Sequence, residues 1–233
     1  MGRGRTAAEI QSTTEESAAS FGTLQRPCGP GTARINAAES VAGTDKLYIG
    51  VANDRSGNIV RGALAELWES SKAFTKWCNR QGGLAGLHIE LVDLDAQLFE
   101  AGKQHDRACL ETFTMVGGGF IVDEFEGANR SSIDCSMVEF PEIVVSTARY
   151  TSDRLVSAVP NPPFMRTTSG AKQLARMQPT ALSKVEFVYL DLESTRSDHE
   201  LALPVAAALP EPPVVTSLLY SPSGSTDWSE KAK

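Results

Sequence analysis

The stretch from Lys46 to Val122 constrains this chain more than any other feature, because short apolar runs alternate there with amphipathic ones. The first run, Leu47-Tyr48-Ile49-Gly50-Val51-Ala52, is rich in strand formers and closes on the turn-prone Asn53-Asp54-Arg55-Ser56-Gly57. Leu64, Leu67, Trp68, Phe74, Trp77 and Cys78 then recur at spacings of three and four. That stripe predicts a sheet-covering helix, stopped by Gly82 and Gly83. His88-Ile89-Glu90-Leu91-Val92-Asp93 reads as a second strand and Phe99 to Glu111 as a second helix. Phe113-Thr114-Met115-Val116 is a third strand, entering Gly117-Gly118-Gly119. Units of roughly 30 to 40 residues with this alternation imply right-handed crossovers and a parallel sheet. The expected fold class is α/β, with a doubly wound parallel sheet.

In such open sheets ligands bind outside the carboxyl ends of the strands. Those ends are Asn53 to Gly57, Gly117 to Val122 and the segment after Ile143-Val144-Val145, read as a fourth strand. Three loops are thus expected to converge on one rim. Gly117, Gly118 and Gly119 would leave backbone N–H groups uncovered, a geometry suited to a carboxylate. Ser146 and Thr147 add hydroxyls at the neighbouring strand end.

Other chemistries fit poorly. A dinucleotide fingerprint must follow the first strand, where this chain has Asn53-Asp54-Arg55-Ser56-Gly57, and the third glycine after Gly117 and Gly119 would fall at Val122. There is no Walker lysine after the glycines and no nucleophile elbow, so phosphoryl and acyl transfer are unsupported. His105 and Cys109 stand four apart on the second helix, but two ligands make a weak metal site. The plainer reading is a solvated His105 and a buried or bridged Cys109. Asp93, Asp95, Glu124 and Glu126 are acids of the kind turns and helix starts attract. No enzyme, metal or cofactor is expected.

A net charge of −7 disfavours nucleic acid or an anionic membrane as the main partner, leaving a small solute or a protein. No apolar run approaches the roughly 20 residues of a membrane-spanning helix, and Met1 to Ser20 lacks the apolar segment of a secretory signal. Residues 1–45 read as a flexible leader, with Arg26-Pro27-Cys28-Gly29-Pro30-Gly31 preventing regular structure in its middle. The four cysteines, Cys28, Cys78, Cys109 and Cys135, allow pairing, but the residues alone do not say which.

The runs "KLYIGVANDRSG", "FTKWCNRQGGLAGLHIELVDLDA", "ACLETFTMVGGG" and "PEIVVSTA" resemble the type 1 periplasmic binding fold of branched-chain amino-acid ABC transporters, over about 100 residues. The most specific piece is the turn Asn79-Arg80-Gln81-Gly82-Gly83 followed by Leu84-Ala85-Gly86. The resemblance implies two α/β lobes closing over a solute. Residues 46–160 would form lobe I and 161–233 an incomplete lobe II, with Val156 to Phe164 crossing between them. The matching ligand positions are Gly118, Gly119 and Phe120 in one loop and Ser146, Thr147 and Ala148 in another, with Asp54 and Tyr150 as further candidates. The implied solute is an amino acid or a related compound, although Gly119 and Phe120 replace a serine often found after the family's glycine loop, a departure that weighs against an amino-acid ligand and not against solute binding.

The resemblance further implies export to the periplasm or beyond, a lipid anchor on a full-length parent, a Cys109–Cys135 disulfide, a membrane permease as partner and a monomeric state. It makes this chain a fragment, with weak or absent solute binding on its own. The alternative implied by the same fold is the extracellular sensing domain of a receptor or regulator.

Overall fold

A computed structural model describes residues 20–36, 44–126, 136–158, 168–221 and 229. A two-residue hairpin, β1 (Ser20–Phe21) and β2 (Leu24–Gln25), precedes the alternating region. There follow β3 (Leu47–Asn53), α1 (Ala65–Arg80), β4 (Ile89–Asp95), α2 (Ala101–Glu111), β5 (Thr114–Val116), β6 (Glu139–Phe140) and the one-turn α3 (Thr147–Tyr150). The second half holds α4 (Ser169–Met177), β7 (Lys184–Leu190), α5 (Glu193–Ala207) and β8 (Val214–Tyr220). Among the described residues no helix is long and apolar enough to cross a membrane.

The main sheet is parallel throughout, in the order β4-β3-β5-β6. The chain enters at β3, steps to β4 on one side and returns to β5 on the other. The strand order therefore reverses at the carboxyl ends of β3 and β5, where an open α/β sheet forms its ligand crevice. β3 lies flush with β4, from Leu47 opposite Ile89 to Asn53 opposite Asp95.

Side chains on β3 alternate between two apolar layers, as the pleat requires. Ala52 joins Leu94, Ala101, Ala108, Met115 and Phe120 under α2. Leu47 joins Cys78 and Ile89, with Ile49, Phe74, Trp77 and Leu91 packed against them, under α1. Both faces of the sheet are thus covered, which is why its strands read as near-continuous apolar runs. In the second half, β7 and β8 pair in parallel around α5, from Lys184 opposite Val214 to Leu190 opposite Tyr220. The intervening helix α5 starts at Glu193, three residues after β7 ends at Leu190.

Two expectations are corrected. The fourth strand is Glu139–Phe140 and not Ile143-Val144-Val145. Pro141 lacks the N–H needed to extend the ladder, and the N–H of Val145 instead donates to the Asp123 carboxylate at 2.8 Å.

The other concerns the leader, whose residues 20–36 are held against α1 and the turn after it. Cys28 is disulfide-bonded to Cys78 at the end of α1, across 50 residues of sequence. Gly29 N–H donates to Gly83 O at 2.8 Å, Gly86 N–H to Gly29 O at 2.9 Å and Ala33 N–H to Ala85 O at 3.2 Å. Phe21 meets Phe74 edge-on at 5.1 Å and lies 5.3 Å from Trp77. The Pro/Gly segment forms no regular element, yet its backbone groups are paired with the turn after α1. The implied Cys109–Cys135 pairing and the crossing at 159–164 lie outside the described residues.

Candidate functional site

Asn53 ends β3 with its side chain turned back into the sheet, donating to Asp93 Oδ1 at 2.9 Å and to Val51 O at 3.2 Å. Arg55 makes a forked ion pair with Asp93 and lies with its guanidinium 5.2 Å from the centre of the Trp68 ring. Burial pushes Asp93 up, but hydrogen bonds from Arg55 and Asn53, with the charges of Arg55 and Arg107, hold its carboxyl below the ordinary range. The first rim loop is therefore anchored to β4 by charge.

Asp54, next in sequence, has no exposed surface. Its Oδ1 accepts from Leu98 N–H at 2.8 Å, in the loop after β4. Its Oδ2 accepts from Ile121 N–H at 2.7 Å, in the loop after β5. Burial pushes its carboxyl above the ordinary value, while those two N–H donors pull it down. Both Asp54 oxygens thus accept from backbone groups of neighbouring loops. The loop it holds is unusual, since Gln97 and Leu98 both adopt left-handed backbone conformations with φ of 52° and 80°.

The glycine loop after β5 owes its composition to crowding. A Cβ on Gly118 would stand 2.4 Å from the backbone N of Ala52, and one on Gly119 would stand 2.6 Å from Ile143 O. Only glycine lets the loop lie between the ends of β3 and the segment after β6. Gly119 N–H donates to Ala52 O at 3.1 Å, and Glu142 N–H to Gly118 O at 2.9 Å. Phe120 is buried in the core under α2.

The third rim segment is fixed by Asp123, a residue the sequence reading passed over. Its carboxylate accepts from Val145 N–H and Ser146 N–H, both at 2.8 Å. Burial pushes it up, against the pull of those donors and of the nearby Arg149 charge. Ser146 is itself buried, its hydroxyl accepting from Arg149 N–H at 3.2 Å as the cap of α3. Thr147 is exposed, and Ala148 and Tyr150 are half-buried.

Beneath the rim lies a buried ionic group. Glu139 on β6 pairs with the Arg149 guanidinium through Oε2, and its Oε1 is 3.0 Å from His105 Nε2 on α2. His105 is thus corrected from a solvated to a fully buried residue. Its Nδ1 lies 3.8 Å from Cys109 Sγ. Among the described residues no group of three or more His, Cys, Asp and Glu side chains is arranged to hold a metal ion. The space enclosed by Ala52, Gly118, Gly119, Phe120, Asp123 and Arg149 is about 20 Å3, room for a single water.

The structure thus brings Asp54, Gly118, Gly119, Phe120, Ser146, Thr147, Ala148 and Tyr150 to one end of one sheet, but divides their roles. Asp54, Phe120 and Ser146 are internal supports, whereas Thr147, Ala148 and Tyr150 have surface on the rim. Asp123, Glu139 and Arg149 went unnoticed because acids and arginines near turns are ordinary in sequence, and only tertiary packing buries these.

The arrangement is the type 1 periplasmic binding fold, with a four-stranded parallel sheet and a separate parallel pair, β7 and β8. Solved structures of that fold match the chain. The branched-chain amino acid transporter substrate binding protein LivJ of Streptococcus pneumoniae, in complex with isoleucine, matches with a TM-score of 0.57 and 14% identity over 80% of this chain and 52% of its own. The leucine binding protein LivK of Thermotoga maritima matches with a TM-score of 0.61 and 15% identity over 79% of this chain and 51% of its own. A solute binding protein of an ABC transporter from Rhodopseudomonas palustris, in complex with 3,4-dihydroxybenzoic acid, matches with 0.57 and 12% over 80% and 50%. This chain spans about half the length of those proteins. No family model and no curated protein matches it.

Proposed function

We propose that the chain is part of a solute-binding component of an ABC importer, a non-enzymatic protein that holds a small solute between two lobes and delivers it to a membrane permease. The observation that carries this reading is the rim at the strand-order reversal, whose three loops are locked together while Thr147, Ala148 and Tyr150 keep exposed surface there. The fold's solved relatives support it, two of them as complexes with small carboxylates. The solute is an amino acid or a related small carboxylate, which Gly118 and Gly119 would approach through backbone and Thr147 through its hydroxyl. The protein works outside the cytoplasm, a placement supported by the Cys28–Cys78 disulfide, since such bonds persist in oxidising compartments. It acts as a monomer.

Calorimetric titration of a protein carrying both lobes with amino acids, amides and aromatic or aliphatic carboxylates tests the reading. Saturable heat with one class, lost in Thr147→Val, is expected. No heat with any of them, alongside turnover of some substrate, would sink it. An adjacent kinase gene in place of permease and ATPase genes would favour the sensing role of the same fold.

A further inference from the structure

Backbone hydrogen bonds from Gly119 to Ala52 and from Glu142 to Gly118 tie parts of the rim together, and two buried carboxylates add side-chain ties between its loops. We propose that Asp54 and Asp123 are positioning residues of the solute rim, setting the relative placement of its loops without touching the solute; this deepens, and rests on, the solute-binding reading.

The hydrogen bonds run in series. Asp54, after β3, holds Leu98 after β4 and Ile121 after β5, partners 44 and 67 residues away in sequence. Two residues past Ile121, Asp123 holds Val145 and Ser146, partners 22 and 23 residues away. An aspartate serving its own turn bonds to N–H groups a residue or two onward. Here every acceptor oxygen crosses to a different loop, so four strand ends are joined by two side chains. When ionised, such carboxylates accept hydrogen bonds that are shorter and stronger than neutral ones.

Strain gives the Asp54 bonds something to hold. Gln97 and Leu98 both sit at positive φ without being glycine, conformations that persist only where surrounding contacts over-determine them. Leu98 N–H, in the second of these residues, is the donor to Asp54. At the other end, Asp123 sets the two residues that lead into α3. Arg149, one turn on, ties the same short helix to Glu139 on β6. The surface of Thr147, Ala148 and Tyr150 is therefore placed from behind by groups a solute cannot reach.

Site-resolved amide hydrogen exchange is the direct test. Asp54→Asn, which keeps the shape and one acceptor, is expected to speed exchange about tenfold or more at Leu98 and Ile121 while β3 and β4 amides stay protected. Asp123→Asn is expected to do the same at Val145 and Ser146. Asp54→Ala, which keeps no acceptor, should exceed Asp54→Asn at the same two amides; if it does not fold, the Asn variants alone make the comparison. Unchanged exchange at these amides, or an equal rise across the whole sheet, overturns the proposal. In a protein with both lobes, Asp123→Asn should also weaken whichever of L-isoleucine and 3,4-dihydroxybenzoate binds, by about tenfold. Full affinity with the loop protection lost would overturn the link to binding. If the unaltered protein binds neither probe, the wider titration panel decides the solute-binding reading, and the exchange pattern still decides whether the carboxylates hold the loops.

Discussion

The side chain of Asn79 and the backbone of Ile89 exchange two hydrogen bonds of 2.9 Å, Nδ2 donating to the carbonyl and the Ile89 N–H donating to Oδ1. The amide at the end of α1 thus pairs with the first residue of β4 as a neighbouring strand would, and fixes where the chain turns back into the sheet.

Asn79→Ala is expected to lower stability by about 1–3 kcal/mol, because it leaves both groups of Ile89 without their partners. Asn79→Asp removes only the donor and should cost less at acid pH, where the carboxyl can donate, than at neutral pH. Chemical denaturation at the two pH values checks the order.

The Cys28–Cys78 bridge closes a loop of about 50 residues, for which the chain-entropy model gives about 4 kcal/mol. Replacing both cysteines with serine should lower the denaturation midpoint accordingly and free the hairpin that carries Phe21. Non-reducing peptide mapping should recover Cys28 and Cys78 in one disulfide-linked pair. A mapping in which either is alkylated without prior reduction contradicts the bond.

Asp54 and Asp93 should give opposite pH trends. Burial raises the folded-state pKa of Asp54 above the ordinary 3.8. Its contribution to stability is then fully present below that value and is lost as pH rises through the folded one. The carboxyl of Asp93 is held below 3.8, its own burial outweighed by Arg55, Asn53 and Arg107. Its contribution is present above 3.8 and is lost as pH falls through the folded value. Measured as melting temperature from about pH 7 down to about pH 3, the deficit of Asp54→Asn should widen and that of Asp93→Asn should narrow. Trends of the same sign would contradict the burial of Asp54.

Glu139 is 1% exposed and Arg149 3% exposed, so neither charge is relieved by water if its partner is removed. Arg149→Met should cost about 3–5 kcal/mol by taking the guanidinium from the buried Glu139 carboxylate, which keeps its contact with His105, and Glu139→Gln a similar amount. In the double variant the losses should be well short of additive, which a double-mutant cycle measured by denaturation detects.

The sequence by itself determined the layer structure. The apolar runs at Leu47–Ala52 and Ile89–Val92 and the stripe through Leu67, Phe74 and Cys78 needed no tertiary information, because periodicity is a local property of the chain. The expectation of a ligand rim is equally local, since it follows from glycines after the third strand and not the first. Only the tertiary structure decided which acids face water and which face protein. Asp54, Asp93 and Asp123 are alike in sequence, yet one is held down by Arg55 and two are pushed up by burial while bracing loops. It likewise decided the fourth strand and the place of the leader. Pro141 denied the ladder to Ile143-Val144-Val145, whose N–H at Val145 went to Asp123. The pairing of Cys28 with Cys78 came from the turn after α1, which offers its backbone groups to Gly29 and Ala33. Hydrogen-bond partners more than 20 residues away set these outcomes, and no local pattern encodes such partners.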